Sequence, residues 1–148
     1  MISLEALTEQ LANHILSWDM PEPARLDVRL VPQNLLPIIN DLYQLRWGYL
    51  AAITGLDHGP ETSEMEVLYH FCAAADVLTL RVHIPRENAA LPSICSILPY
   101  AGVFERELSE MFGVIMYGAP DDSRLFLPDD WPEGVYPLRK DAKEPEDD

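Results

Sequence analysis

Basic residues are scarce in this 148-residue chain, which has 10 lysines and arginines against 25 aspartates and glutamates. The net charge of −15 at pH 7 would repel a nucleic-acid backbone or an anionic membrane surface. The composition therefore argues against nucleic-acid binding, and it favours high solubility or a basic protein partner.

Long apolar runs are also missing. The hydrophobic stretches are short and interrupted, so no direct membrane insertion is predicted. The N-terminus, Met1–Glu5, has neither the basic region nor the apolar region of a secretory signal. A chain of 148 residues of which 48% are hydrophobic is expected to form one domain with a single core.

Residues that bind metals or phosphates show no binding pattern. The two cysteines, Cys72 and Cys95, form no CxxC motif and are expected to be reduced, buried thiols of a cytoplasmic protein. The histidines lack the paired spacing of metal ligands, and the seven glycines form no GxGxxG or GxxxxGK loop. We therefore expect no metal or cofactor bound by this chain.

Hydrophobic periodicity predicts an α/β (α+β) fold with the element order α-β-α-β-β-β-α. Three-to-four spacing indicates a helix over residues 3–18, ended by Pro21 and Pro23, and a second helix from Pro32 to Arg46. Apolar residues in strand-like patterns predict strands over residues 26–30, 66–72 and 77–84, and an apolar run closed by a turn predicts a fourth over residues 49–56.

These elements predict a mixed sheet of about four strands with helices packed on it. The last two strands are separated by a short connection at residues 73–76 and should form an antiparallel hairpin. We place the globular domain at residues 1–118 and an extended C-terminal arm with an acidic tail at residues 119–148.

A charged cluster lies in the last two turns of a helical region predicted over about residues 92–112, which Pro99 should divide and Gly113 should end. On a helical wheel, Glu105 and Glu107 fall on opposite flanks of an apolar stripe that includes Phe112. Arg106 and Glu110 point outward, four residues apart, and can pair.

The carboxylates of this cluster allow a catalytic and a structural interpretation. Positions i and i+2 of a helix do not face one another, so Glu105 and Glu107 cannot share one substrate bond. This disfavours a free-standing carboxylate enzyme. In the structural interpretation the two glutamates hold the helix against the domain and the arm, through basic residues further along the chain such as Arg124.

The arm is rich in proline and in large apolar side chains. Trp131, Tyr136 and Leu138 are predicted to be its apolar anchors, and Arg139 and Lys140 to fix its end. Such an arm lies on the surface of its own domain, on a partner, or on both.

Several motifs resemble one known family, the 30 kDa subunit of respiratory NADH:quinone oxidoreductase, complex I. They are Phe104–Gly113, Gly118-Ala119-Pro120, Arg124, Leu127–Trp131 (LPDDW) and Tyr136–Asp141 (YPLRKD), together with Arg81–Arg86 and Leu91-Pro92-Ser93. The same domain occurs in group 4 membrane-bound hydrogenases and formate hydrogenlyase, and the stretch Trp131–Pro137 is closer to that branch.

The resemblance implies an α/β domain with a long arm, lying peripherally on the cytoplasmic side of the membrane. It implies partners, namely a hydrogenase-like large subunit and neighbouring quinone-module subunits. It also implies that NADH, quinone, iron–sulfur clusters or nickel–iron belong to those partners. An equivalent hydrogenase subunit remains the alternative, and a free-standing enzyme or an acidic mimic of nucleic acid is less favoured.

Overall fold

The computed structural model describes residues 1–143, so the predicted acidic tail at residues 144–148 lies outside the described residues. The chain forms two compact units. The first comprises Met1–Thr54 and Val67–His83, and the second comprises Gly55–Glu66 and the described chain from Ile84 onward. Residues 84–118 and the arm therefore belong to the same unit, and the predicted division at residue 118 stays a prediction.

The first unit begins with helix α1 (Leu4–Gln10), followed by a 3₁₀ turn at Ala12–His14. The Ser3 hydroxyl caps α1 by accepting a hydrogen bond from the amide of Ala6 at 3.1 Å. The predicted helix over residues 3–18 is therefore wrong in its second half. Residues Ser17–Glu22 form strand β1 instead.

Strand β1 pairs antiparallel with β2 (Arg25–Leu30), and Trp18 lies opposite Val28. In this pairing, β2 provides hydrogen-bond partners for backbone groups of residues 17–22. In a continued α1, those groups would have bonded within the helix. Pro21 is tolerated because β1 is an edge strand and its register shifts between Asp19 and Glu22.

The main sheet has five strands in the order β1-β2-β5-β4-β3, with β3 at Tyr49–Asp57, β4 at Glu64–Ala73 and β5 at Asp76–Pro85. Strand β2 pairs parallel with β5, whereas β1 and β2 are antiparallel, so the sheet is mixed as predicted. The two-residue connection between the neighbouring strands β4 and β5 makes them the predicted hairpin. The sheet has one strand more than expected because β1 replaces the end of the predicted helix.

Helix α2 (Leu35–Leu45) follows a 3₁₀ turn at Pro32–Asn34, so Pro32 opens the second helix as predicted. The buried residues of α2 are Leu35, Ile38, Ile39 and Leu42. Their spacing produces one apolar face, which is the predicted three-to-four pattern. Arg46 ends α2 in the left-handed conformation, with φ 52°.

The second unit contains a small parallel sheet of β6 (Ala90–Pro92) and β7 (Ile115–Tyr117). Between them lie a 3₁₀ turn at Pro99–Ala101 and helix α3 (Gly102–Phe112), so the helix starts near Pro99 as predicted. Gly113 ends α3 with φ 73°. Residues 118–143 contain no helix or strand.

No helix within residues 1–143 is both long and apolar enough to cross a bilayer.

Candidate docking surface

The outward face of α3 holds the first part of the arm. Arg106 donates hydrogen bonds to the Ser123 carbonyl at 2.9 Å, the Ser123 hydroxyl at 3.2 Å and the Arg124 carbonyl at 2.9 Å. Glu110 accepts from the amides of Leu125 at 2.6 Å and Phe126 at 2.9 Å. The expected pairing of Arg106 with Glu110 is replaced by these contacts because irregular backbone offers both donors and acceptors that need partners.

The last turn of α3 holds the second part of the arm. The Met111 carbonyl accepts a hydrogen bond from the Leu138 amide at 3.0 Å, and the Phe112 carbonyl accepts one from Arg139 Nε at 2.7 Å. Helix ends leave such carbonyls unsatisfied and favour a nearby cation. Arg139, which was predicted to fix the end of the arm, thus contacts the end of α3.

An aromatic contact lies at the end of the helix. A Cβ added to Gly113 would lie 2.4 Å from the Tyr136 ring, so only glycine permits this close approach. The Arg139 guanidinium lies 5.0 Å from the centre of the same ring, which is within the range of a cation–π interaction. Tyr136 therefore packs against its own unit as an apolar anchor.

A buried ion pair between Asp57 and Arg86 holds the end of the arm, through Lys140 and Asp141. We call these four residues the Asp57–Arg86 cluster. Arg86 donates Nε to Asp57 Oδ1 at 2.7 Å and one terminal nitrogen to Asp57 Oδ2 at 2.8 Å. The same nitrogen reaches Asp141 at 2.7 Å, and Asp57 accepts from the Lys140 amide at 2.8 Å. Lys140 thus contributes its backbone to the cluster.

Burial makes this cluster strong. Asp57 is 4% exposed and Arg86 is 8% exposed. Hydrogen bonding to the Arg86 guanidinium holds the pKa of Asp57 well below its usual range, and hydrogen bonding to Asp57 raises the pKa of Arg86. Both groups stay charged at neutral pH, so the end of the arm has a fixed attachment point.

Glu105 is the buried carboxylate of α3, with 2% exposure. It accepts from the Ser93 hydroxyl at 2.7 Å, the Ile94 amide at 2.7 Å and the Cys95 thiol at 3.3 Å. Glu105 holds α3 to its own unit as predicted, but the expected contact with downstream basic residues is wrong. The reason is that neutral donors of the loop before α3 already satisfy the carboxylate.

The Cys95 thiol is buried beside this carboxylate, and burial raises its pKa. The burial of Cys95 agrees with the prediction. Cys72 is only half-buried, so the same prediction holds less well there.

Glu107 lies on the exposed side of α3, and its side chain makes no hydrogen bond or ion pair within residues 1–143. The predicted role of Glu107 in holding the helix against the domain and the arm is therefore not seen in this part of the chain. The buried, fully hydrogen-bonded carboxylate of Glu105 and the exposed one of Glu107 cannot act on the same substrate bond. This agrees with the helical wheel, which places them on opposite flanks of the apolar stripe.

The middle of the arm forms its own closed loop. Arg124 donates to the carbonyls of Pro128 at 2.7 Å and Trp131 at 2.8 Å. The Trp131 indole donates to the Val135 carbonyl at 2.9 Å, and its side chain is half-buried. The arm is irregular yet well hydrogen-bonded, which is what an ordered docking segment requires.

Two large apolar side chains of the arm point outward. Phe126 is 63% exposed and Leu138 is 54% exposed. Leu138 contacts α3 through its backbone, so its side chain is available to a partner. We call the arm, with these two residues, the candidate docking surface.

Sequence reasoning missed several residues that hold α3 and the arm in place. It assigned no role to Asp57, and Arg86 and Ser93 appeared only within the motifs Arg81–Arg86 and Leu91-Pro92-Ser93. A signal was present for Asp57, because an acidic residue at the end of an apolar strand often contacts a cation. Nothing in the sequence named that cation.

Comparison with known proteins agrees with this architecture. The family model of the respiratory-chain NADH dehydrogenase 30 kDa subunit matches residues 28–148. The chain belongs to this family. The resemblance seen in the motifs of α3 and the arm is thereby confirmed.

Relatives of this chain come from two kinds of complex. Formate hydrogenlyase subunit 5 of Escherichia coli is 33% identical over 94% of this chain and 25% of its own length. Membrane-bound hydrogenase subunit beta of Pyrococcus furiosus is 54% identical over 45% of this chain and 38% of its own length. An NADH-quinone oxidoreductase subunit of Ruegeria pomeroyi is 35% identical over 88% of this chain and 66% of its own length. The chain thus spans between a quarter and two fifths of the first two relatives.

Solved structures share the fold. A chain of the membrane-bound sulfane sulfur reductase, an archaeal respiratory membrane complex, matches with a TM-score of 0.81 and 23% identity, over 94% of this chain and 84% of that one. A trypsin-resistant fragment of Nqo5 matches with a TM-score of 0.66 and 23% identity, over 79% of this chain and 96% of that one. The mixed α+β fold is therefore that of the family.

Proposed function

We propose that this chain is a non-catalytic, peripheral subunit of a membrane-associated oxidoreductase of the complex I type. Its role is to support electron transfer from NADH to quinone by docking on a hydrogenase-like large subunit. The observation that carries this proposal is an irregular arm fastened to its unit by α3 and by the Asp57–Arg86 cluster, with Phe126 and Leu138 left outward. A rigid segment that presents apolar side chains has little entropy to lose on binding.

A second candidate is the equivalent subunit of a group 4 hydrogenase or of formate hydrogenlyase. The match to formate hydrogenlyase subunit 5 over 94% of this chain favours it, and so does the 54% identity to the hydrogenase subunit beta over 66 residues. The two candidates share the same docking role and differ in the electron donor and acceptor.

In either complex, NADH, quinone, iron–sulfur clusters or nickel–iron would belong to partner subunits. The three donors that engage the oxygens of Glu105 support a structural role for this carboxylate and not a catalytic one. The chain would lie peripherally on the cytoplasmic side of the membrane, held there by its partners.

The test is affinity purification of the full chain, tagged at its N-terminus, from detergent-solubilised membranes of its source, followed by mass spectrometry. We expect recovery of a hydrogenase-like large subunit. NADH-module subunits in the same sample would identify the first candidate, and other hydrogenase subunits the second. Recovery of no such large subunit, or turnover by the isolated chain, would refute the proposal.

A matched pair of variants tests the role of the arm. Phe126→Glu with Leu138→Glu introduces two charges on the docking surface, and Leu16→Glu with Tyr49→Glu introduces two at exposed apolar positions of the first unit. The arm variant is expected to lose the large subunit while the other retains it, because an uncompensated charge at the centre of an interface is costly. Equal recovery by both would remove the arm from the proposal.

A further inference from the structure

We draw no further inference here: the strongest candidate, the apolar surface patch that Ile115 and Tyr117 form on the exposed face of strand β7, carries nothing, because nothing within residues 1–143 shows what covers it.

Discussion

Replacing Arg86 by methionine would remove the guanidinium that joins Asp57 to the end of the arm while keeping most of the side-chain volume. In the native protein Arg86 donates two hydrogen bonds to Asp57, at 2.7 and 2.8 Å, and one to Asp141 at 2.7 Å. The variant would leave the Asp57 carboxylate, which is 4% exposed, with only the amides of Gly59 and Lys140.

The cost follows from burial. Removing one partner of a buried ion pair typically destabilises a protein by about 3–5 kcal/mol, because the other charge stays buried without compensation. We expect Arg86→Met and Asp57→Asn each to fall in or near this range. The double variant Asp57→Leu with Arg86→Met should cost clearly less than the sum of the two single variants. Asp141→Asn serves as the control, because Asp141 is exposed and its replacement should change stability little.

The pH dependence provides a second readout. Arg86 lowers the folded-state pKa of Asp57 below its ordinary value of 3.8, so the stability that this carboxylate contributes is complete above that value. It is lost as the pH falls from there towards the lowered folded-state pKa. Removing Arg86 should therefore flatten the stability curve below about pH 4.

Urea unfolding followed by circular dichroism would give the free energies of unfolding, and hydrogen exchange at the Lys140 amide would report on the end of the arm. A cost below about 1 kcal/mol for Arg86→Met, as expected for an exposed pair, would refute the reasoning. So would an unchanged acid limb of the stability curve.

Three further predictions concern α3 and the residues after it. Gly113→Ala should destabilise the protein by about 2–4 kcal/mol, because it combines a positive φ with a Cβ placed 2.4 Å from an aromatic ring. Gly118→Ala, where φ is also positive but the space is open, should cost only about 1–2 kcal/mol. Thermal unfolding measures both variants, and equal costs would contradict the close contact. Glu105→Gln should cost about 1–3 kcal/mol in urea unfolding, because an amide group then faces donors of the loop before α3, and a neutral result would show that those bonds add little. Arg106→Ala should speed proteolytic cleavage near residues 121–126, while Glu107→Ala should not, because only the arginine is bonded to the arm; similar rates in limited proteolysis would reject this assignment.

Elements whose pattern is local were predicted well from the sequence. Helix α3 begins near Pro99 and ends at Gly113, and β5 spans the alternating residues 77–84. Helices and strands with one buried face repeat apolar residues at a fixed spacing, so the spacing reports the element before any tertiary contact is known.

Strand β1 shows where such local reasoning fails. Leu4, Leu7 and Leu11 continue at helical spacing to Ile15 and Trp18, yet Trp18 pairs with a strand. An available strand edge can override a weak helical tendency, and a single sequence does not show which edges are open.

The order and spacing of residues along the chain were enough to establish the family, the fold class and the side of α3 on which Glu105 lies. The groups that hold the arm became evident only in three dimensions. Arg86 meets Asp57 across 29 positions and Asp141 across 55, and Glu105 meets Ser93 across 12. Many carboxylates were available to Arg86, and the fold brings two of them to it, the buried Asp57 and the exposed Asp141. Charge alone could not make that choice, because ion pairs form where the fold brings groups together and excludes water.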